Sequence, residues 1–175
     1  MSSRVSAGIL LYRRSGTAPA GVSLEVLLGH PGGPYAATRD HGHWTIPKGE
    51  VEEGEDLLAV AYREFEEETG HVPPGRPPLP LGTTRQRGGK LVHAWALEGD
   101  LDQSAASSNT FTMEWPPGSG GLQEFPEIDR VEWFAVDEAL RRIKDAQAVF
   151  IERLEEALGP PQEALGPPQE ALGPP

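Results

Sequence analysis

Residues 49–70 read GEVEEGEDLLAVAYREFEEETG, and the acidic crowding in the second half of this stretch governs what the chain can be. At about 100° per helical residue, Glu64, Glu67 and Glu68 fall within an arc of about 100°, while Leu58, Ala61, Tyr62 and Phe65 fill the neighbouring arc. One stripe can enter a core while the other holds carboxylates. Like charges at i, i+3 and i+4 destabilise an isolated helix by about a few tenths of a kcal/mol per pair, so the cluster calls for a compensating cation. Carboxylate oxygens suit a hard divalent ion, and Mg²⁺ is commonly held by a few of them while it keeps waters and substrate phosphates as further ligands. On its own, an ExxEE pattern is more often a solvated acidic face. The flanking residues therefore decide.

Upstream, Trp44-Thr45-Ile46-Pro47-Lys48 leads straight into the stretch. Pro47 fixes its own φ and holds Ile46 extended, so the backbone arrives at Gly49 in a defined direction. Gly49 lets its carbonyl approach an ion closely, and Lys48 is placed to meet a phosphate as a point charge. Before that, Gly29–His43 is rich in proline and glycine and carries Tyr35, Arg39, Asp40, His41 and His43, the pattern of a loop framing a pocket. The HGH spacing lacks the i, i+4 relation of a helical metal pair, which argues against a histidine metal site. Arg4–Arg13 and Ser23–Leu28 read as two strands of a hairpin joined through the Gly/Ala/Pro linker around Gly16–Gly21.

Downstream, five prolines in residues 71–80 impose a loop. Leu81–Arg87 and Leu91–Leu97 follow as strands around Gly88-Gly89, and Arg85, Arg87, Lys90 and His93 gather positive charge there in an otherwise acidic chain. Such a wall suits a bound polyphosphate. Residues 98–121 read as a long polar connection with a short strand at Phe111–Trp115, in which Trp115 is either core or a stacking platform for a nucleobase. Val131–Ala135 reads as the last strand, and Asp137 as the N-cap of a final helix with a break near Lys144-Asp145. From Glu156 the chain repeats EALGPPQ. Residues 1–155 thus read as one domain and 156–175 as a Pro/Gly-rich tail, extended or disordered.

The net charge of −12 and the absence of cysteine narrow the function classes. A duplex nucleic acid or an anionic membrane would want a basic surface, and neither a disulfide framework nor a thiolate metal site can form. Val5–Tyr12 is too short and poorly flanked for a signal peptide, and no run approaches a membrane span. The simplest reading is a cytoplasmic enzyme, monomer or homodimer, acting on a small molecule. A polyphosphate substrate would need metal ions or a locally basic pocket to offset the chain's charge.

Gly49, then Glu55 six residues on, then Arg63-Glu64-Phe65-Glu66-Glu67-Glu68-Thr69-Gly70, resembles the Nudix box, with eight of nine defined positions matched. The ninth is His71, where the pattern has an apolar residue that Val72 is expected to replace. The resemblance, which covers residues from about 3 to 155, implies an α/β fold, an α/β/α sandwich with a mixed sheet in which the box forms loop, helix and loop. It also implies a hydrolase of nucleoside diphosphates linked to a further group, using Mg²⁺ or Mn²⁺. Carried over by residue, the Gly49 carbonyl, Glu64, Glu67 and Glu68 are metal ligands, Arg63 orients the glutamates, and Glu55 and Gly70 shape the box. A further acid before the last helix is expected. Glu127, six residues before Trp133, matches best, with Glu124, Glu114 and Asp129 as alternates, and Glu64 and Glu127 compete for the role of general base. The lead-in from Trp44 and the basic turn look most like the asymmetrically cleaving diadenosine tetraphosphate hydrolases, with His43, Trp44, Lys48, Arg85, Arg87, Lys90 and His93 at the substrate. Sanitation of modified triphosphates such as 8-oxo-dGTP is the alternative activity, and a nucleotide sensor without catalysis the third.

Overall fold

The computed structural model describes residues 4–16 and 23–160. Its centre is a mixed sheet in the order β4 (Leu79–Arg85), β5 (Leu91–Glu98), β1 (Val5–Ser15), β2 (Ser23–Pro31), β8 (Ile128–Ala135), with β3 (Lys48–Glu50) attached to β1. β1 and β2 pair antiparallel from Tyr12↔Val26 to Ser15↔Ser23, as the hairpin reading expects. β1 pairs parallel with β5 along its length, from Val5↔Leu91 to Tyr12↔Glu98. On its other side β1 is shared, because Ser6, Ala7 and Gly8 pair with β3 and the later residues pair with β2. The sheet therefore splits in its middle. β3 keeps one edge against β1 and leaves the other open.

Strand alternation sends Ala7, Ile9 and Leu11 to one face and Leu10 and Tyr12 to the other. The first face packs with Leu27, Leu97, Ile128 and Val131 against Val60, Ala61 and Phe65 of α1 (Leu57–Thr69). The second packs with Val26, Leu28 and Ile46 against α2 (Val136–Arg142) and α3 (Ala148–Leu158), chiefly through Ala139, Phe150, Ile151 and Leu154. The result is the α/β/α sandwich. Apolar burial on both faces fixes which side of α1 is left for its carboxylates.

Several expectations change in detail. Residues 98–121 are not all connection, since β6 (Thr110–Glu114) pairs antiparallel with β7 (Leu122–Pro126) in a separate ribbon with Phe111 opposite Phe125. The mostly exposed LQEFP shows no apolar alternation, which conceals that second strand. Asp137 does not cap α2; the cap position is Ala135, and Asp137 lies in the first turn, where its charge meets the positive end of the helix dipole. The break near Lys144 is real, with α2 and α3 separated by a short 3-10 turn at Asp145–Gln147. Val72 does not replace the apolar residue of the box, being 75% exposed, while His71 is half-buried and donates its amide to the Thr69 hydroxyl at 3.2 Å. Glu156, Ala157 and Leu158 of the first repeat are the last turn of α3 and not extended chain. The remaining repeats, residues 161–175, and most of the linker between β1 and β2 lie outside the described residues.

Phe65 is completely buried and anchors α1 to the sheet. Phe65→Ala is expected to cost about 3–5 kcal/mol in urea unfolding of the metal-free protein, against about 0.5 kcal/mol or less for exposed Glu66→Ala.

Candidate active site

α1 begins where Asp56 accepts a hydrogen bond from the Ala59 amide at 2.9 Å, and it ends at Gly70, whose φ of 73° places it in the left-handed region. Between these caps, Arg63 is the hub. It donates to Glu55 at 2.5 Å and to Glu64 at 3.3 Å, and it lies 3.8 Å from Glu67. Glu55 in turn accepts from the Glu52 amide at 2.9 Å, which closes the loop ahead of the helix.

The helix meets β3 at its open edge. Gly49 lies opposite Ala7 on the α1 face of the sheet, and a Cβ placed there would overlap the Glu64 carboxylate. The glycine is thus required for close approach, although its carbonyl does not serve as expected. The bonds Ile9 N–H to Pro47 O (3.0 Å) and Val51 N–H to Val5 O (2.9 Å) flank the Ala7↔Gly49 pair. By antiparallel alternation that pair is also hydrogen-bonded, which turns the Gly49 carbonyl toward β1. Lys48, in the intervening pair, turns its backbone to the open edge. Its amide donates to Glu68 at 2.9 Å, and its carbonyl faces the same way without a protein donor among the described residues.

Glu127 arrives from the other side, between β7 and β8. Its amide donates to the Asn109 carbonyl at 2.9 Å and its carbonyl accepts from the Gly32 amide at 2.9 Å. Asn109 also donates its amide to the Glu67 carbonyl at 2.9 Å, and its side chain reaches the Glu67 carboxylate at 3.5 Å, so one residue ties the end of α1 to Glu127. Nothing in the sequence flags Asn109 except its place just before the ribbon. Among the alternates, Glu114 is held by the Gly120 amide at the ribbon tip, Glu124 is exposed on β7, and Asp129 is bound to His30 at 2.9 Å and to Arg130 at 3.1 Å. Of these acids, Glu127 is linked to Glu67 through Asn109.

Burial pushes the Glu68 carboxyl well above the ordinary range, with Glu64 and Glu127 adding to the shift and Lys48 opposing it. Glu64 is raised by burial and by Glu67 and Glu127 against the pull of Arg63, and Glu127 by burial and Glu67. Among the described residues, no three acids or histidines already stand at metal-binding separation. The donor set nevertheless fits a hard divalent ion: partly desolvated carboxylates that repel one another, all oxygen, beside an unpartnered carbonyl.

The expected substrate residues divide. Lys90 pairs with Glu50 at 3.0 Å close to Lys48. His93 stands in the cross-strand row with Ala7 and Gly49. Arg85 is exposed and donates to the Gly89 carbonyl within its own turn, and Arg87 is exposed without an ion pair among the described residues. His43 is held at the loop by the His41 carbonyl (2.9 Å) and lies 3.3 Å from Arg39. Trp44 is corrected to core: it is fully buried, edge-on to Phe134 and His30, and donates its indole N–H to Asp40 at 2.7 Å. Trp115 is half-buried and edge-on to the exposed Tyr35, with ring centroids 5.4 Å apart.

The family model of the NUDIX domain matches residues 2–154. The chain belongs to the NUDIX domain family. A curated relative, the 8-oxo-(d)GTP phosphatase of Mycolicibacterium smegmatis, is 27% identical over 150 residues, covering 79% of this chain and 37% of the relative. The chain thus spans little more than a third of that relative's length. Among solved structures, the NUDIX domain of Shewanella oneidensis NrtR complexed with ADP ribose superposes with a TM-score of 0.62 at 18% identity, covering 91% of this chain and 90% of that one. A C. elegans Ap4A hydrolase binary complex superposes at 0.58 with 23% identity, covering 87% and 97%. These likenesses establish the NUDIX fold. No helix among the described residues is long and apolar enough to cross a membrane.

Because Glu64, Glu68 and Glu127 bind protons more tightly in the folded protein than in the unfolded chain, their contribution to stability is greatest below the ordinary carboxylate pKa and is lost as pH rises. Metal-free NUDIX protein should therefore melt at a lower temperature at about pH 7.5 than at about pH 5, and Mg²⁺ should raise Tm more at the higher pH. Thermal scans in EDTA and in Mg²⁺ check both. Gly49→Ala should abolish most of the Mg²⁺-induced rise by displacing the Glu64 carboxylate.

Proposed function

We propose that the protein is a Mg²⁺- or Mn²⁺-dependent hydrolase that cleaves a phosphoanhydride bond in nucleoside polyphosphates, with dinucleoside polyphosphates such as diadenosine tetraphosphate as its substrates. One observation carries this reading: Glu64 and Glu68 of α1 are packed against β3, the first over Gly49 and the second on the Lys48 amide, while Asn109 ties Glu67 to Glu127 nearby and Lys90 pairs with Glu50 of the same strand. Residues 1–155 form the hydrolytic unit of a cytoplasmic enzyme, monomeric or homodimeric.

In this reading Glu64, Glu67, Glu68 and the Lys48 carbonyl would hold the ion, with Glu127 adjoining them. When bound, Mg²⁺ neutralises phosphate oxygens and makes a coordinated water more acidic. Glu127 is the proton acceptor. Its carboxylate makes no hydrogen bond or ion pair among the described residues, whereas Glu64 is restrained by Arg63 and Glu68 by the Lys48 amide. Lys48 and Lys90 orient the phosphate chain and offset its charge. Arg63, held by Glu55, keeps the glutamates in register on α1. The structure of the Ap4A hydrolase complex supports the dinucleotide substrate at the level of fold. The mycobacterial relative favours a second reading, hydrolysis of 8-oxo-(d)GTP on the same carboxylates with a different base pocket.

Incubation with each substrate and Mg²⁺, followed by chromatography of the products, separates the readings. ATP with AMP from diadenosine tetraphosphate is expected. A monophosphate with pyrophosphate from 8-oxo-dGTP alone would transfer the assignment to the second, and no hydrolysis across a broad nucleotide panel would leave a sensor. Glu67→Gln and Glu68→Gln should each lower kcat by about 100-fold or more. Glu127→Gln should lower kcat and flatten the acidic limb of its pH profile.

A further inference from the structure

We infer that Lys144 and Lys48 form a phosphate-binding subsite on the α3 side of β3, which takes a phosphate of the polyphosphate chain lying outside the anhydride that is cleaved. Strand alternation sets the place. Gly49 faces α1, so Lys48 faces the opposite side, and a Cβ built on Gly8 would lie 2.6 Å from Lys48 Cβ. Lys144, in the linker between α2 and α3, is brought to the same side by the parallel bridge of Ile143 with Trp44 and by the bond from its amide to the Trp44 carbonyl at 2.9 Å. The open edge of β3, where Glu68 meets the Lys48 amide, joins this side to the carboxylates.

The two lysines lack a counterion. Neither has a carboxylate within 4.0 Å among the described residues, although the chain carries 27 acidic side chains. Lys90, the third cation of the group, is already paired with Glu50. Both lysines are half-buried. Ser6, opposite Glu50 on β1 and on the same face as Gly8, has a fully buried hydroxyl without a hydrogen-bond partner. Partly desolvated cations that repel one another are the mirror image of the carboxylate cluster, and they call for an anion. A phosphate chain passing around the edge of β3 would meet both. The identity of the chain rests on the hydrolase reading above; the need for an anion does not.

The test begins without catalysis. Titration calorimetry of inorganic tripolyphosphate into the EDTA-treated protein should show binding that Lys144→Met weakens by about tenfold or more and Lys144→Arg by about threefold or less. Equal affinity of wild type and Lys144→Met, or no binding by wild type, overturns the subsite. In the enzyme, Lys144→Met should raise KM for diadenosine tetraphosphate with little change in kcat, and leave KM for the two-phosphate substrate ADP-ribose unmoved. An equal rise for both substrates overturns the placement outside the cleaved bond. Lys144-dependent tripolyphosphate binding by a protein that hydrolyses no nucleotide keeps the subsite and removes the hydrolase reading.

Discussion

The approach of α1 to β3 is the constraint on which the site depends. Glu64 occupies the space that a side chain at residue 49 would fill, and Glu68 caps the backbone of residue 48. Both carboxylates are thereby drawn out of water, which disfavours their charge, while Phe65, between them in sequence, secures the helix to the sheet. Apolar burial on one side of α1 thus stabilises an unfavourable electrostatic arrangement on the other. A cation that binds only the folded protein offsets that arrangement by mass action, so ligand binding and fold stability are linked through the same few atoms.

Much of this was legible in the sequence because it is local. Helical arithmetic places Glu64, Glu67 and Glu68 beside an apolar stripe, and the Asp56 cap and Gly70 stop fall within the same stretch. The sandwich was implied by the resemblance of the box, and the alternation of β1 between two cores agrees with it. What escaped is what only pairing decides. The Gly49 carbonyl was expected at the ion, but hydrogen bonding alternates along an antiparallel pair, and the register with β1 turns that carbonyl inward and the Lys48 carbonyl to the open edge. The resemblance put Trp44 at the substrate; its burial beside Phe134 and His30 depends on elements that are distant in the chain. Asn109 and Lys144 sit in segments without periodicity, where no pattern announces a contact. β7 was hidden for a related reason, since a ribbon outside the main sheet buries too little on either side to show alternation.

Charge is distributed unevenly around the open strand edge. A net charge of −12 would repel a polyphosphate at long range, yet the nearest groups are of both signs and are arranged on opposite sides of β3. Short-range geometry in a partly desolvated site outweighs the long-range field, which mobile ions screen over about 8 Å at physiological ionic strength. Recognition of an anionic ligand therefore does not require a basic protein.

Asn109 anchors the base of the β6–β7 ribbon to the end of α1 and to Glu127, and its bonds lie before the first ribbon pair, Thr110↔Pro126. Beyond that pair the ribbon rests on the loop after β2, Phe111 against Gly33 and Trp115 against Tyr35. The bonds that hold Glu67 and Glu127 lie outside these ribbon contacts, so the outer ribbon can vary in length without loosening them. The ribbon is in this sense a replaceable fitting, and the chemistry at its base is independent of its span.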